Sequence, residues 1–465
     1  MLLSLFFLGE LTMSIETTPK VISKTFIHSC NVKTRDGNTV IVKERVQYDN
    51  GDIKPNIAVF VNPKRSFYIT NKKYRTYKFK PEYEMISKLD KYTVRDSELQ
   101  SKVAELLDLG RGFIQNSALF KSPYVFGADI GIEALIKMHY LDTFPDTNIP
   151  PVYGFLDIET SIDTEEIILI SYICGNQVYT AVLKAFLYKE ENGTRIAVGH
   201  DELLIHVKKK LSHYTEKYNL EYNVKILDTE MQLVAWMFKC IHDVKADIIG
   251  IWNMNFDIPE ILKTIDRAKV DPKMIFSDPS IKPEHRYFKY YEDQRPVAHF
   301  TLKWHFVYST CGSQFIDSMG LYSQCRRTAG FRARYDLDSV LRDELKLGKF
   351  ALCEGKSHVI MQRHHFMDYV AYNMFDVIGL NILEAKNNDI LTMTILSGPT
   401  PISRFAAATV KATNNMYRDL IAKGMVLSSS SSEDQFIKFD KLFDNAGGTV
   451  LVPELAHDVG IKLTV

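Results

Sequence analysis

Tyr153-Gly154-Phe155-Leu156-Asp157-Ile158-Glu159-Thr160 is an apolar run that ends in two acids two residues apart. Side chains of a strand alternate between faces, so Asp157 and Glu159 point the same way. Two carboxylates side by side at a buried strand end repel each other and take up a proton unless a cation balances them. A hard divalent ion such as Mg²⁺, which prefers oxygen ligands, is the natural balance. For a D-x-E triplet standing alone, an exposed acidic strand end is the alternative.

Outward from this strand the pattern is that of an α/β domain. Ile167 to Ile173 and Asp247 to Trp252 are further apolar strands, Asp201 to Tyr218 is an amphipathic helix, and Asp228 caps a helix running through Ile241. Strands alternating with helices predict a central sheet covered by helices. A second acid follows in Ile251-Trp252-Asn253-Met254-Asn255-Phe256-Asp257, where Asp257 stands just after a buried strand and before Pro259. Such strand-to-helix junctions are where α/β sites are built, although Asp also serves there as a plain helix cap. The third element is Tyr372-Asn373-Met374-Phe375-Asp376 within a helix spanning Arg363 to Lys386. Four-residue spacing puts Tyr372 and Asp376 on one helix face, where a phenol can orient a water beside a carboxylate.

The chain has 465 residues, 57 Lys and Arg against 57 Asp and Glu, and 46% hydrophobic residues, which excludes disordered and collagenous classes. Its length predicts two to four domains. A formal net charge of zero excludes a histone-like positive field, so any nucleic-acid contact must come from a local basic face. The six cysteines contain no C-x-x-C, which gives neither a zinc site nor a disulfide framework and fits a reducing cytoplasm. Met1 to Met13 is apolar but lacks a basic leader and carries Glu10; it reads as a packed tail or as an extension upstream of Met13.

From Phe26 to Lys80 short strands alternate with turns at Asp36-Gly37-Asn38 and Asn50-Gly51-Asp52. Lys54 to Lys80 mixes eight basic residues with Phe67, Tyr68, Tyr74, Tyr77 and Phe79 and has no acid, the composition of a single-stranded nucleic-acid surface or of an amphipathic strand pair with solvated lysines. Glu82 to Leu107 and Asp129 to Tyr140 read as helices, and Asn148-Ile149-Pro150-Pro151 as a domain boundary. Ile281 to Tyr308 reads as strands around a loop, and Leu337 to Leu345 as a helix. The loop Ser397-Gly398-Pro399-Thr400-Pro401 is followed by a helix to Ile421, a Ser run from Ser428 to Ser432 and a strand-like Thr449 to Val452.

D-x-E on a strand, N-x-N-F-D after a later strand and Y-x-x-x-D on a still later helix form an ordered set. It resembles the tyrosine subtype of the DEDD exonuclease superfamily, and specifically the proofreading domain of family B DNA polymerases of the T-even-type bacteriophage branch. The histidine subtype would place its base at position 371, which is Ala371. Trp252-Asn253 before Phe256-Asp257-Ile258-Pro259 is similar to that branch's second exonuclease motif, with one residue fewer between Asn253 and Phe256. Asp317 to Tyr322 and Leu337 to Lys349 are similar to the stretch between the second and third motifs, and Ser397 to Leu427 with Gly447 to Pro453 to the passage into the palm.

The resemblance implies a ribonuclease H-like α/β exonuclease domain over 151–390. This would be flanked by a discontinuous α+β, OB-like N-terminal domain (1–150 and 391–435) and by the start of a palm (436–465). It implies 3′-5′ hydrolysis of DNA by two Mg²⁺ or Mn²⁺ ions about 3.5 to 4 Å apart. Asp157, Glu159 and Asp376 would hold the nucleophile-activating ion, with Asp157 shared by the second ion, which Asp257 also holds. Tyr372 would align the attacking water. Asn253, Phe256, Arg326, Arg327, Arg332 and Arg334 are the expected DNA contacts; the arginines read equally as a solvated loop and Phe256 equally as core. The polymerase motifs D-x-x-S-L-Y-P, K-x-x-x-N-x-x-Y-G and D-T-D do not occur. The expected partner is therefore a separate polymerase half, in the cytoplasm of an infected host cell, unless the sequence is a piece of a longer polymerase. A non-catalytic scaffold half and a stand-alone exonuclease are the alternatives.

Overall fold

The computed structural model describes residues 19–34, 37–76, 80–109, 119–145, 147, 149–191, 194–347 and 357–429. The apolar stretch up to Met13, the aromatics Tyr77 and Phe79, most of the serine run and the palm-like segment 436–465 lie outside the described residues.

Three antiparallel strands come first, β1 (Val21–Thr34), β2 (Gly37–Tyr48) and β3 (Ile53–Val61). The tight turn into β3 needs Gly51, whose φ of +87° is open to glycine and costly for other residues. In a second sheet β4 (Lys64–Thr70) lies between two later strands. β5 (Tyr83–Met85) stands apart, and β6 (Leu89–Arg95) and β7 (Val125–Phe126) flank β4. The stretch Glu82 to Leu107, expected to be helical, thus begins with the two strands β5 and β6, joined by short 3-10 turns, and is α-helical only at Leu99–Leu106. Leu89-Asp90-Lys91-Tyr92-Thr93-Val94-Arg95 carries a period of two that fits its pairing along the whole of β4. The basic-aromatic segment is half core: Phe67 and Tyr68 are buried, and Arg65 is buried against the Gly127 and Ala128 carbonyls and the Asp96 carboxylate.

The next strands are β8 (Tyr153–Thr160), β9 (Ile167–Cys174) and β10 (Gln177–Leu183), then a separate hairpin of β11 (Tyr188–Glu191) and β12 (Thr194–Ala197). They continue with β13 (Glu221–Leu227), β14 (Ile248–Ile251), β15 (Phe288–Tyr291), β16 (Phe306–Ser309) and β17 (Gln314–Asp317). Eight of them form one mixed sheet in the order β13-β10-β9-β8-β14-β17-β16-β15, with β8 antiparallel to β9 and parallel to β14. Every residue of β9 is buried, as a strand covered on both faces must be. Helix Phe366–Asn387 packs on β8 and β9, and helix Glu230–Val244 on β9 and β10, so the fold is mixed α/β. Helix boundaries differ from the sequence reading: the helix expected from Asp129 begins at Ile132, and the stretch from Arg363 divides at His365 between helices His358–His364 and Phe366–Asn387. Thr229, not Asp228, caps the Glu230–Val244 helix, because Thr229 and Gln232 satisfy each other's backbone N–H groups. The stretch from Asp201 breaks at Leu211 into helices His200–Lys210 and Ser212–Tyr218. Gly250 makes the centre of the sheet this close: a Cβ there would strike the Phe155 ring and the Ser318 hydroxyl.

Beyond helix Phe366–Asn387 the chain passes through helices Asp389–Ser397 and Ala408–Ala422 into β18 (Met425–Leu427), which pairs antiparallel with β5. Tyr417 and Val426 join a core with Tyr68, Leu89 and Phe126. The N-terminal strands are fastened to the large sheet by buried charge. Arg45 Nε lies 2.9 Å from both oxygens of Asp247, at the foot of β14, and Lys43 Nζ donates to the Gly312 carbonyl at 2.8 Å. Among the described residues no helix is long and apolar enough to cross a membrane, and none of the five described cysteines forms a disulfide.

Candidate metal centre

Asp157 and Glu159 stand on β8 with one residue between them, and Asp376 is buried on the helix that packs against β8. One carboxylate oxygen from each lies within 4.8 Å of the other two. Because β14 runs parallel to β8, with Ile251 opposite Leu156, the chain leaving β14 emerges beside Asp157. There it enters helix Met254–Arg267, whose first turn carries Asp257, its N–H bonded to the Asn253 carbonyl at 3.0 Å. All four carboxylates line one cavity of about 580 Å³.

Asp257 is only 2% exposed, and its Oδ2 has no hydrogen-bond partner among the described residues. Burial pushes its carboxyl well above the usual range, and the charges of Glu159, Asp376 and Glu260 push it further. A buried carboxylate with an unpartnered oxygen, surrounded by like charge, must either keep its proton or face a cation. The three donors that converge are all carboxylate oxygens, the set a hard divalent cation prefers.

Hydrogen bonds from the Phe366–Asn387 helix fix the two strand acids. Asn373 Nδ2 donates to Asp157 Oδ2 at 2.7 Å, and the Tyr369 hydroxyl donates to Glu159 Oε2 at 2.5 Å. Gln362 Nε2 in turn donates to the Tyr369 hydroxyl at 3.2 Å and to the Thr160 carbonyl at 2.8 Å. Sequence reasoning passed over Asn373 and Tyr369, although their places three residues before Asp376 and Tyr372 put them on the same helix face. Tyr372 itself is buried, stacked on Tyr369 at 5.8 Å with its hydroxyl 3.5 Å from His358 Nε2, and is not among the residues lining the cavity.

Asn253 and Phe256 both line the cavity, and Phe256 is 41% exposed. The four arginines divide. Arg326 is held by Asp389 at 2.8 Å and stacks on Tyr322, and Arg332 pairs with Asp343 and donates to the Tyr322 hydroxyl at 3.1 Å, so both brace the fold. Arg334 is exposed and pairs with Asp336 on the cavity rim, and Arg327 is exposed with no ion pair among the described residues. A fifth acid was not foreseen. Asp317, at the end of β17, lines the same cavity and accepts the Gly320 N–H at 2.7 Å, and burial pushes its carboxyl up to about 7. Set beside known proteins, the chain matches no protein-family model and no curated protein.

Proposed function

We propose that this chain is the 3′-5′ proofreading exonuclease portion of a family B DNA polymerase, and that it hydrolyses the terminal phosphodiester of a single-stranded DNA 3′ end. The observation that carries this is the convergence of Asp157, Glu159 and Asp376, with buried Asp257, on one cavity. The antiparallel run β10-β9-β8 continued by parallel β14 and β17 supports a ribonuclease H-like domain around it. Polymerase chemistry belongs, on this reading, to a polymerase half outside these residues, and the setting is the cytoplasm of an infected host cell.

Asp157, Glu159 and Asp376 would hold one divalent ion, and Asp157 with Asp257 would hold a second. Bound there, Mg²⁺ or Mn²⁺ supplies Lewis-acid polarisation of the phosphate and balances charge on the attacking and leaving oxygens. The chain's own residues do the rest. Asn373 and Tyr369 hold the Asp157 and Glu159 carboxylates in one orientation, as partners behind metal ligands do. The role the resemblance gives Tyr372, orienting the attacking water, requires its hydroxyl to turn from His358 toward the cavity.

Product polarity tests the proposal. With Mg²⁺, a 5′-labelled single-stranded oligonucleotide is expected to yield a nested ladder shortened one nucleotide at a time, and an oligonucleotide with a blocked 3′ end to resist. Internal fragments, or equal cleavage of the blocked strand, would overturn it.

A further inference from the structure

Three aromatic rings form a stack beside the acids. Phe331 lies on His299 with centroids 4.3 Å apart and planes 13° from parallel, and His299 lies 4.5 Å from Phe300. The stack is not core: Phe300 is 53% exposed and Phe331 48%. Its inner end, Phe300, lines the carboxylate cavity together with Phe256.

The stack is also fixed in place. Phe300 meets the buried Tyr335 edge-on at 5.8 Å, and the Tyr335 carbonyl accepts the Trp252 indole N–H at 2.9 Å, which ties the platform to the end of β14. Thr301, next along, is hydrogen-bonded to Ser323 at 2.7 Å and to His299 Nδ1 at 2.9 Å. Two large rings left half exposed contribute less to stability than full burial would have given, and adjoining exposed aromatic surface marks an interaction site.

Cations accompany the rings. Lys303 lines the cavity and forms no ion pair among the described residues, and exposed Arg327 lies four residues before Phe331. Flat rings interleaved with free cations are what successive bases and phosphates of a single strand require. We propose that Phe300 and Phe331, spaced by His299, are a base-stacking platform that leads an unpaired DNA 3′ end into the carboxylate cavity, with Lys303 contacting a phosphate. This rests on the exonuclease reading and deepens it by naming the substrate track.

The test separates binding from cleavage. Affinity of the full chain for a 5′-fluorescein-labelled oligothymidylate is measured by anisotropy in EDTA, for the wild type, Phe300→Leu, Phe331→Leu, the double variant and Phe331→Trp. Leucine keeps an apolar side chain and removes the flat ring. Each leucine variant is expected to bind roughly 5- to 150-fold more weakly, the range for loss of one stacked base. Phe331→Trp is expected to retain wild-type affinity, and oligonucleotides of other sequence to behave alike. A 3′-terminal 2-aminopurine is expected to be quenched by the wild type and to brighten in Phe300→Leu. No binding by the wild type, or equal affinity in the double variant, overturns the platform even where the wild type cleaves DNA with Mg²⁺. Weakened binding in the leucine variants of a chain that never cleaves supports the platform and sinks the exonuclease reading instead.

Discussion

Replacing Tyr369 by Phe removes one oxygen atom from behind the strand acids. The ring is buried and stacked on Tyr372, so Phe fills the same space and the packing survives. The hydroxyl donates to Glu159 Oε2 at 2.5 Å. Of its other two contacts, Gln362 Nε2 keeps the Thr160 carbonyl as acceptor, and His358 Nδ1, at 3.2 Å, belongs to an exposed residue that water reaches, so no buried group is orphaned. A hydrogen bond to a charged group contributes about 1.5 to 3 kcal/mol, and half-buried Glu159 can recruit water, which places the loss of stability near the low end, at about 1 to 2 kcal/mol. The larger effect is on orientation. Loss of a partner behind a metal ligand typically costs about 10- to 100-fold in metal affinity or activity. Nuclease rates measured across a Mg²⁺ titration should therefore show the half-saturating Mg²⁺ concentration rising about tenfold or more, with most of the rate recovered at saturation. A Tyr372→Phe control should show the reverse, a reduced saturated rate at unchanged Mg²⁺ dependence. If Tyr369→Phe leaves the Mg²⁺ dependence untouched and lowers only the saturated rate, the argument that this hydroxyl orients Glu159 fails.

Other expectations concern the frame. Asp317 binds its proton more tightly in the folded than in the unfolded chain, so the stability this group contributes is lost as pH rises from about 4 to about 7. The displacement from 3.8 to about 7 corresponds to at most about 4 kcal/mol. Asp317→Asn keeps an acceptor for Gly320 and should raise the urea midpoint at pH 8 but not at pH 4; an equal gain at both would refute the burial argument. Asp247→Ala leaves Arg45 and Lys43 buried without their counter-ion and should cost about 3 to 5 kcal/mol in chemical denaturation. A loss under 1 kcal/mol would mean that water reaches the pair. Gly250→Ala should destabilise by about 1 to 3 kcal/mol through its clash with Phe155 and Ser318, and Ser318→Gly in the same chain should restore part of the loss, as melting temperatures would show.

How much of this was legible in the sequence differs element by element. Asp157 and Glu159 could be read because a strand's period of two leaves no choice about their common face, and Asp257 because it follows an apolar run too short to be anything but a buried strand. Asp376 could be read from its place on a helix face; the same spacing picked out Tyr372, whose hydroxyl lies at His358 and not on the cavity. What spacing does not reveal is which distant residue a side chain meets. Arg326 and Arg332 look like Arg327 in the sequence, and only the fold brings Asp389 and Asp343 to them. Asn373 and Tyr369 read as ordinary helix residues until β8 is laid against them. The misread stretch at Glu82 failed for another reason: the period of two from Leu89 to Arg95 and the strand-favouring Tyr92, Thr93 and Val94 are local signals of a strand, but the stretch runs on into the helix Leu99–Leu106 and reads as one helical segment. The platform of Phe300 and Phe331 was hidden because two loops far apart in the chain each supply part of it.

The central claim is that the four converging carboxylates form a divalent-metal nuclease centre. Release of the terminal nucleotide from a 3′-labelled single-stranded oligonucleotide by the purified chain, with Mg²⁺ and with EDTA, beside Asp157→Ala/Glu159→Ala, tests it most directly. Stepwise release that requires Mg²⁺ and vanishes in the double variant is the result expected. Release that persists in EDTA or in the double variant, or none from the wild type with Mg²⁺ whether or not a polymerase half is present, would contradict it.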